Sequence, residues 1–207
     1  MAYNWKAFAH LYNLPDKTIS NFVTYAHMIS DWNKKFNLTT ITKEEEIAQL
    51  HFADSLTLNQ LIDLRQINYI ADIGTGAGIP GVPLKICYPH LSLILIEVNS
   101  KKRLFLQEVI TVLGLTQVEI VDNDWRTFLR KTNYQIDLFC ARASLPPEEL
   151  VRVFKDASPY KNSALIYWAS KHWEPSVEIS SYINDRYMYT IANRSYTLIK
   201  MTKTRTQ

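Results

Sequence analysis

Cysteine is scarce in this sequence, which has Cys87 and Cys140 among 207 residues. Both lie inside apolar runs, and two thiols are too few for a disulfide framework or a metal cluster, so we expect core thiols and no metal. Long hydrophobic runs are also lacking, because the longest, Leu91–Ile96, suits a buried strand and not a membrane span. The chain starts without an apolar signal-peptide core, so we expect a cytoplasmic protein with no membrane partner.

A strong excess of charge is missing as well. The 23 basic and 20 acidic residues leave a formal net charge of +3, which does not by itself indicate nucleic-acid binding. The length suits one α/β domain with a short extension. Internal repeats, low-complexity segments and flexible linkers are not found, and nothing in the sequence demands more than a monomer.

Helical patterns fill the first third of the chain. Apolar residues recur at helical spacing after Asp16, a candidate N-cap, and Thr42 with Glu45 has the spacing of a capping box. We expect the helix that begins there to run past His51 towards Leu56. Residues 1–66 are therefore predicted to be an N-terminal helical subdomain, which forms one globular unit with the domain at 67–207.

Short apolar runs alternate with helical segments in the rest of the chain. The predicted strands are Asn68–Ile73, Leu91–Ile96, Val118–Val121, Ile136–Ala141, Leu165–Trp168, Tyr187–Ile191 and Tyr196–Met201. The predicted helices are Pro80–Cys87, Ser100–Leu113, Trp125–Arg130, Pro147–Phe154 and Glu174–Ile183. This alternation predicts an α/β fold with a doubly wound, mostly parallel sheet and helices on both of its faces.

Glycine is rare except in one loop. Four of the five glycines in the chain, Gly74, Gly76, Gly78 and Gly81, lie within eight residues. The loop follows a predicted strand and opens a predicted helix, which places it at the edge where open α/β sheets bind ligands. The alternative is a tight turn without a ligand, but a sequence so sparing of glycine elsewhere favours a functional loop.

The spacing within this loop restricts the ligand. A dinucleotide fingerprint would need a small residue where Ile79 stands, and a phosphate-binding loop would need a Lys-Ser/Thr pair that is missing. The arrangement of Asp72 before Gly74, Gly76 and Gly78 instead resembles the first motif of Rossmann-like methyltransferases. In those enzymes the loop packs against the methionine part of S-adenosylmethionine.

Glu97 supplies a second element of such a site. It ends the apolar run Leu91–Ile96 and lies nineteen residues after Gly78. An acidic side chain at about this distance accepts hydrogen bonds from ribose hydroxyls. The alternative, a solvated residue at the end of a strand, is disfavoured by the apolar run that leads into it.

Longer strings of the sequence resemble a known family. They are Trp32–Thr39, His51-x-x-Asp54-Ser55, Asp72–Leu84, Lys102-Arg103 and Arg142-Ala143. Together they resemble the bacterial family of ribosomal small subunit methyltransferase G, also called glucose-inhibited division protein B, from about Phe22 to Arg142. The resemblance implies a class I methyltransferase fold with S-adenosylmethionine as cofactor. It also implies 16S ribosomal RNA, or a precursor of the small subunit, as partner, with methylation of guanine N7 at position 527 in the 530 loop.

The resemblance also implies roles for individual residues. It places Gly74, Ile79, Trp125, Arg126 and Arg142 at the cofactor. Trp125-Arg126 departs from the family, which tends to have a small apolar residue and an acid there, so the backbone, or stacking by Trp125, is expected to hold the adenine. Arg142 is the candidate catalytic residue in a positioning role, where its forked guanidinium could hold the cofactor carboxylate or an RNA phosphate.

Methylation at N7 needs little acid–base chemistry. Guanine N7 carries a free lone pair, so no general base is expected. His51 is expected to orient Asp54 or the N-terminal helices, and the alternative is an ordinary helix residue. Methylation of cytosine C5 needs a nucleophilic cysteine, and Cys140 lacks the usual proline or threonine neighbour. Methylation of an exocyclic amine is disfavoured because Pro146-Pro147 lacks the flanking polar and aromatic residues of that motif.

Basic clusters are the candidate contacts to RNA. The residues assigned to RNA are Lys34, Lys35, Lys101, Lys102, Arg103 and Lys171, the last in the string Ala169–His172 that replaces Leu-Lys-Gly of the family. Further clusters are Arg126 with Arg130 and Lys131, and Lys200 with Lys203 and Arg205. Each alone could be a solvated face. Two functions stay open beside the leading one: a methyltransferase for another RNA site, a small molecule or a protein, and a non-catalytic RNA-binding protein with this fold.

Overall fold

One seven-stranded sheet organises the computed structural model, which describes residues 3–203. The strands are β1 (Tyr69–Ile73), β2 (Ser92–Ile96), β3 (Val118–Val121), β4 (Leu138–Arg142), β5 (Ala164–Ser170), β6 (Ile183–Ile191) and β7 (Arg194–Met201). Their order in space is β3-β2-β1-β4-β5-β7-β6. Strands β1 to β5 are parallel, and β7 runs antiparallel between β5 and β6. The predicted α/β class with a mostly parallel sheet is confirmed.

Helices come before the first strand and cover one face of the sheet. They are α1 (Trp5–Tyr12), α2 (Asp16–Asn33), α3 (Glu44–Ile47), a π-helical segment (Ala48–Ala53) and α4 (Asp54–Leu56), followed by two short 3₁₀ turns (Thr57–Gln60 and Leu64–Gln66). Buried aromatic rings hold this layer together. The ring of Tyr25 stacks on Phe52 at 5.2 Å between centroids and faces Phe105 of the sheet domain at 6.4 Å.

The helices after β1 alternate with the strands. They are α5 (Gly81–Cys87), α6 (Ser100–Leu113), α7 (Trp125–Lys131), α8 (Pro147–Leu150) and α9 (Val177–Ser180). The side chain of Asn99 caps the start of α6, and Gly114 ends it with a φ of +60°. Asp124 caps α7 through the backbone N–H of Thr127.

Apolar side chains on both sides of the strands form the core. Ile70 and Leu93 belong to the side that the N-terminal helices cover, while Ala71 and Ile94 belong to the side of α7 and α8. Strands buried on both faces need this near-continuous apolar pattern. The N-terminal helices and the sheet share one apolar cluster, so no gap in the packing marks residue 66. The division of the chain at that residue stays a prediction.

Some predicted boundaries are wrong. The capping box at Thr42 does not form: α3 begins at Glu44 after Lys43, which makes no side-chain cap, and Glu45 accepts from Gln49 one turn later. The helix predicted over Glu174–Ile183 shrinks to α9, because Ile183 already pairs with β7 as the first residue of β6. Asp16 opens α2 as its first residue, and Pro15 takes the N-cap position.

The contact between Gly78 and Tyr25 yields a stability prediction. At Gly78, with φ at +88°, a Cβ would lie 2.6 Å from Tyr25 Oη and 2.7 Å from Val82 Cγ2. Gly78→Ala should therefore lower the free energy of unfolding by roughly 3 kcal/mol, from backbone strain plus overpacking. Gly114→Ala is the matched control, since its Cβ would meet nothing within 4 Å, and it should cost about 1 kcal/mol. Urea denaturation measures both, and equal losses would contradict the packing argument.

Candidate active site at the carboxyl edge of the sheet

Asp72, at the end of β1, braces the glycine loop. Its Oδ2 accepts hydrogen bonds from Thr75 Oγ1 at 2.6 Å and from the backbone N–H of Gly81 at 2.8 Å, so one carboxylate oxygen ties together both ends of the loop. The side chain is fully buried, and burial raises its pKa to about 6. Asp72 therefore supports the loop from the side of the protein core. Its side chain does not line the cavity that opens between the strand ends.

The three glycines of the loop have different surroundings. A Cβ on Gly74 would lie 2.7 Å from the Cβ of Ser144, and a Cβ on Gly78 would collide with Tyr25. A Cβ on Gly76 would meet Gly74 O at 3.9 Å and Lys102 Nζ at 4.0 Å, which are ordinary van der Waals distances without a clash. Gly74 and Gly78 are thus required by packing within the protein, whereas Gly76 leaves space beside two residues of the cavity.

Glu97 fastens the end of β2 to this loop. It is buried, and its carboxylate accepts from the backbone N–H of Gly76 at 2.9 Å and from that of Asn99 at 2.8 Å. A carboxylate has about four lone-pair sites, so acceptor capacity is left for a ligand. The predicted acidic partner thus lies directly beside the glycine loop.

A cavity of about 310 Å³ opens between the ends of the first four strands. It is lined by Ile73, Gly74, Ile96, Glu97, Val98, Lys102, Asn123, Asp124, Trp125, Ala143, Ser144 and Leu145. Its volume lies at the lower end of the range for small-molecule sites, and apolar walls with a few polar groups are typical of them. The buried hydroxyl of Ser144 has no hydrogen-bond partner among residues 3–203, so the cavity offers an unused polar group. These features fit an adenosyl ligand, with Glu97 for its ribose.

The predicted cofactor residues divide between this lining and its supports. Gly74, Glu97 and Trp125 line the cavity, and Trp125 also donates its indole N–H to the Glu149 carbonyl at 2.7 Å. Ile79 is buried in the core on the side of the N-terminal helices, outside the lining. Arg126 is turned away, because its guanidinium pairs with the Glu149 carboxylate. A cofactor contact by the backbone of Arg126 stays a prediction.

Arg142 points away from the cavity, contrary to its expected place at the cofactor. Its Nε lies 2.8 Å from Asp54 Oδ2, and its Nη2 donates to the carbonyl of Leu50 at 2.6 Å. Tyr189 of β6 donates to the other oxygen of Asp54 at 2.5 Å. The guanidinium is therefore used to join the end of β4 to the N-terminal helices. The contacts of Arg142 with Asp54 and Leu50 are here called the clamp. The residues that follow Arg142 line the cavity, so the clamp fixes their position.

His51 completes the clamp as a neutral side chain. Burial and the nearby charge of Arg142 lower its pKa to about 3. Its Nδ1 lies 3.3 Å from Arg142 Nη1, and its Nε2 lies 3.1 Å from Thr39 Oγ1. Since arginine can only donate, the tautomer with the proton on Nε2 satisfies both contacts. His51 thus acts on Asp54 through Arg142, and its contact with Thr39 lies between α2 and α3 of the N-terminal helices.

The basic residues assigned to RNA are brought to different places. Lys101 lies over the ring of Phe36 at 4.9 Å, which puts the start of α6 beside Lys34 and Lys35. Lys102 lines the cavity instead of the outer surface. Arg103 donates to the carbonyl of Val98 at 2.6 Å and so holds the end of β2, and its contact with RNA stays a prediction.

Three further basic positions follow β5 in the sequence. Lys171 is exposed directly after β5, at the carboxyl edge of the sheet. Lys203 pairs with Asp156, while Arg205 lies outside the described residues.

Sequence reasoning missed several residues of the site. Asn123 and Asp124 follow β3 just as Glu97 follows β2, and this strand-end position was the available signal. Ser144 has the same signal after β4, whereas Tyr189 carried none, because only the folded chain brings it to Asp54. Within residues 3–203, no three potential metal-binding side chains come together. No helix in that part of the chain combines the length and apolar character that a bilayer crossing requires.

Comparisons with known proteins agree with this geometry. A family model described as rRNA small subunit methyltransferase G matches residues 18–179. A protein of that name from Staphylococcus haemolyticus is 40% identical over 135 residues, covering 65% of this chain and 56% of the relative. One from Clostridium novyi is 35% identical over 145 residues, covering 70% and 59%. The match thus spans little more than half the length of these relatives.

A solved structure supports the fold. TrmK from M. capricolum, in complex with S-adenosyl-homocysteine, superposes with a TM-score of 0.54 at 19% identity, covering 72% of this chain and 67% of that protein. At that identity the likeness concerns the fold, and it confirms the expected Rossmann-like methyltransferase architecture.

The buried carboxyl of Asp72 yields a prediction about pH. Its pKa in the folded chain, about 6, lies above the ordinary value of 3.8. The folded state therefore binds the proton more tightly, and this contribution to stability is lost as the pH rises towards and through 6. Asp72→Asn removes this pH-dependent contribution to stability. Relative to wild type, the variant should gain roughly 1 kcal/mol between pH 5 and pH 7.5. Urea unfolding at both pH values measures the difference, and a difference independent of pH would refute the assignment.

Proposed function

Because the chain belongs to the rRNA small subunit methyltransferase G family, we propose that it transfers a methyl group from S-adenosylmethionine to N7 of a guanine in 16S ribosomal RNA. The family resemblance makes position 527 in the 530 loop the target. The observation that carries the proposal is the juxtaposition of the glycine loop, Glu97 and the cavity between them. A ribosomal substrate also implies a cytoplasmic location and a small-subunit particle or its RNA as partner.

The cofactor would be held by residues of three strand ends. Glu97 would accept from the ribose hydroxyls, the loop at Gly74 and Gly76 would leave space for the methionine portion, and Asn123 with Asp124 would border the adenine. The bound sulfonium supplies an electrophilic methyl group. The solved relative in fold with S-adenosyl-homocysteine supports this choice of ligand.

The remaining task of the protein is to position the base and exclude water. N7 attacks with its own lone pair, so no side chain has to remove a proton. His51 fits this requirement, because a side chain with a pKa of about 3 is a poor base and its ring is used by Arg142 and Thr39. Arg142 acts as a positioning residue that fixes the segment Ala143–Leu145 along the cavity.

The alternative of cytosine C5 methylation is disfavoured by the state of the thiols. Burial raises the pKa of Cys140 well above its ordinary range, and it raises that of Cys87 to about 12. Neither residue lines the cavity. A nucleophilic cysteine needs an accessible and readily formed thiolate, so neither is suited to that chemistry.

The surroundings of Gly76 yield a binding prediction. Gly76→Ala and Gly114→Ala share a φ of +60° and an absence of close contacts, so each should lose about 1 kcal/mol of stability. The new methyl group at position 76 would stand beside Gly74 and Lys102 of the cavity. It should weaken binding of S-adenosyl-homocysteine by at least about tenfold, or 1.4 kcal/mol, while Gly114→Ala binds normally. Calorimetry measures both affinities, and normal binding by Gly76→Ala would show that the site is misplaced.

The substrate is tested in cells. 16S ribosomal RNA from cells that lack this protein should contain no 7-methylguanosine at the target guanine, and restoring the gene should restore the modification. Restoring Gly76→Ala should give less modification than restoring Gly114→Ala. Unchanged modification in the deletion strain would refute the RNA substrate and favour a small-molecule or protein acceptor.

A further inference from the structure

A second pocket, here named the basic pocket, lies beside α7 on the face of the sheet opposite the N-terminal helices. It has a volume of about 320 Å³. Its lining consists of Arg126, Leu129, Arg130, Arg152, Lys155, Ala157 and Ser158. Four of the seven side chains are cationic and none is acidic. The pocket is separate from the cavity beside the glycine loop, with which it shares no residue.

One carboxylate partly balances this charge. Glu149 accepts from Arg126 at 2.7 and 2.9 Å and from Arg152 at 2.8 Å, and these hydrogen bonds lower its pKa to about 2. Arg130 and Lys155 form no ion pair within the part of the chain that the structure describes. Both are exposed, so the pocket presents two unpaired cations backed by a shared Arg–Glu–Arg cluster. Such an arrangement attracts anions and suits a phosphate group.

The basic pocket is connected to the candidate active site through two chain segments. Trp125 lines the cavity and the next residue, Arg126, lines the basic pocket. Leu145 lines the cavity, and α8 leads from there to Arg152. The first turn of α7 lies between the two pockets. A polymer whose reactive base meets the cofactor at the opening of the cavity has neighbouring units that extend beyond that opening.

We propose that the basic pocket binds a backbone phosphate of the RNA substrate while the target guanine lies at the opening of the cavity that holds the cofactor. This inference rests on the proposed function, and it names where part of the RNA lies. It adds Arg152 and Lys155 to the basic cluster of α7 and omits Lys131, which is outside the lining. Arg126 acts here as part of the phosphate site, which gives a role to the residue that departs from the family pattern.

The test neutralises the two unpaired cations. Arg130→Gln with Lys155→Gln leaves both ion pairs of Glu149 in place, so the fold should be retained. The matched control is Lys6→Gln with Lys17→Gln, which removes the same charge from α1 and α2, the helices that pack on the opposite face. Binding of a 16S ribosomal RNA transcript is measured over a series of salt concentrations. S-adenosyl-homocysteine affinity and the urea midpoint are measured alongside.

The double variant should bind the transcript roughly tenfold more weakly, with a salt slope shallower by about 1, and should keep its S-adenosyl-homocysteine affinity. The control should match wild type. If wild type methylates the transcript and the double variant binds it with an unchanged slope, the inference is overturned while the proposed function stands. If wild type neither binds nor methylates the transcript, the proposed function fails. If inorganic phosphate or ADP alone binds at the basic pocket and the transcript does not, the pocket belongs to a small ligand and the inference is overturned as well.

Discussion

The structure depends on the buried carboxylate of Asp72. One of its oxygens binds both Thr75 and Gly81, and the other has no partner in the described chain, so the loop keeps its shape around an incompletely satisfied buried acid. Burial of such a group is costly, as its raised pKa shows. The buried carboxylate thereby holds the loop that carries Gly76, whose Cβ position meets Gly74 O at 3.9 Å and Lys102 Nζ at 4.0 Å.

The N-terminal helices are part of the site although none of their residues lines the cavity. Tyr25 of α2 donates to the carbonyl of Ala77 and lies against Gly78, so the loop is held from that side. Asp54 holds Arg142, and Tyr189 of β6 holds Asp54. An ion pair this deeply buried is stable only with such additional hydrogen bonds. The contacts of Tyr25 with the glycine loop and of Asp54 with Arg142 link the N-terminal helices to the site. They explain why the sequence contains both the His51–Ser55 string and the glycine loop.

Much of this arrangement could be predicted from the sequence because it depends on local patterns. The positions of the strands followed from short apolar runs that alternate with helical segments, and Glu97 followed from its place at a strand end. Arg142 was expected at the ligand because strand ends face the site, but the partner that turned it away, Asp54, is 88 residues distant in sequence. The capping box at Thr42 failed for the same reason, since contacts from other helices determined where α3 begins. Side-chain direction, unlike strand position, is decided by tertiary contacts.

The central claim is that the glycine loop and Glu97 together form the binding site for S-adenosylmethionine. A crystal structure of this protein with S-adenosyl-homocysteine tests it most directly. In that crystal structure the ribose hydroxyls should donate to the Glu97 carboxylate, with the homocysteine portion beside Gly74 and Gly76 and the adenine between Val98 and Trp125. A ligand bound elsewhere, or one whose ribose does not contact Glu97, would contradict the claim.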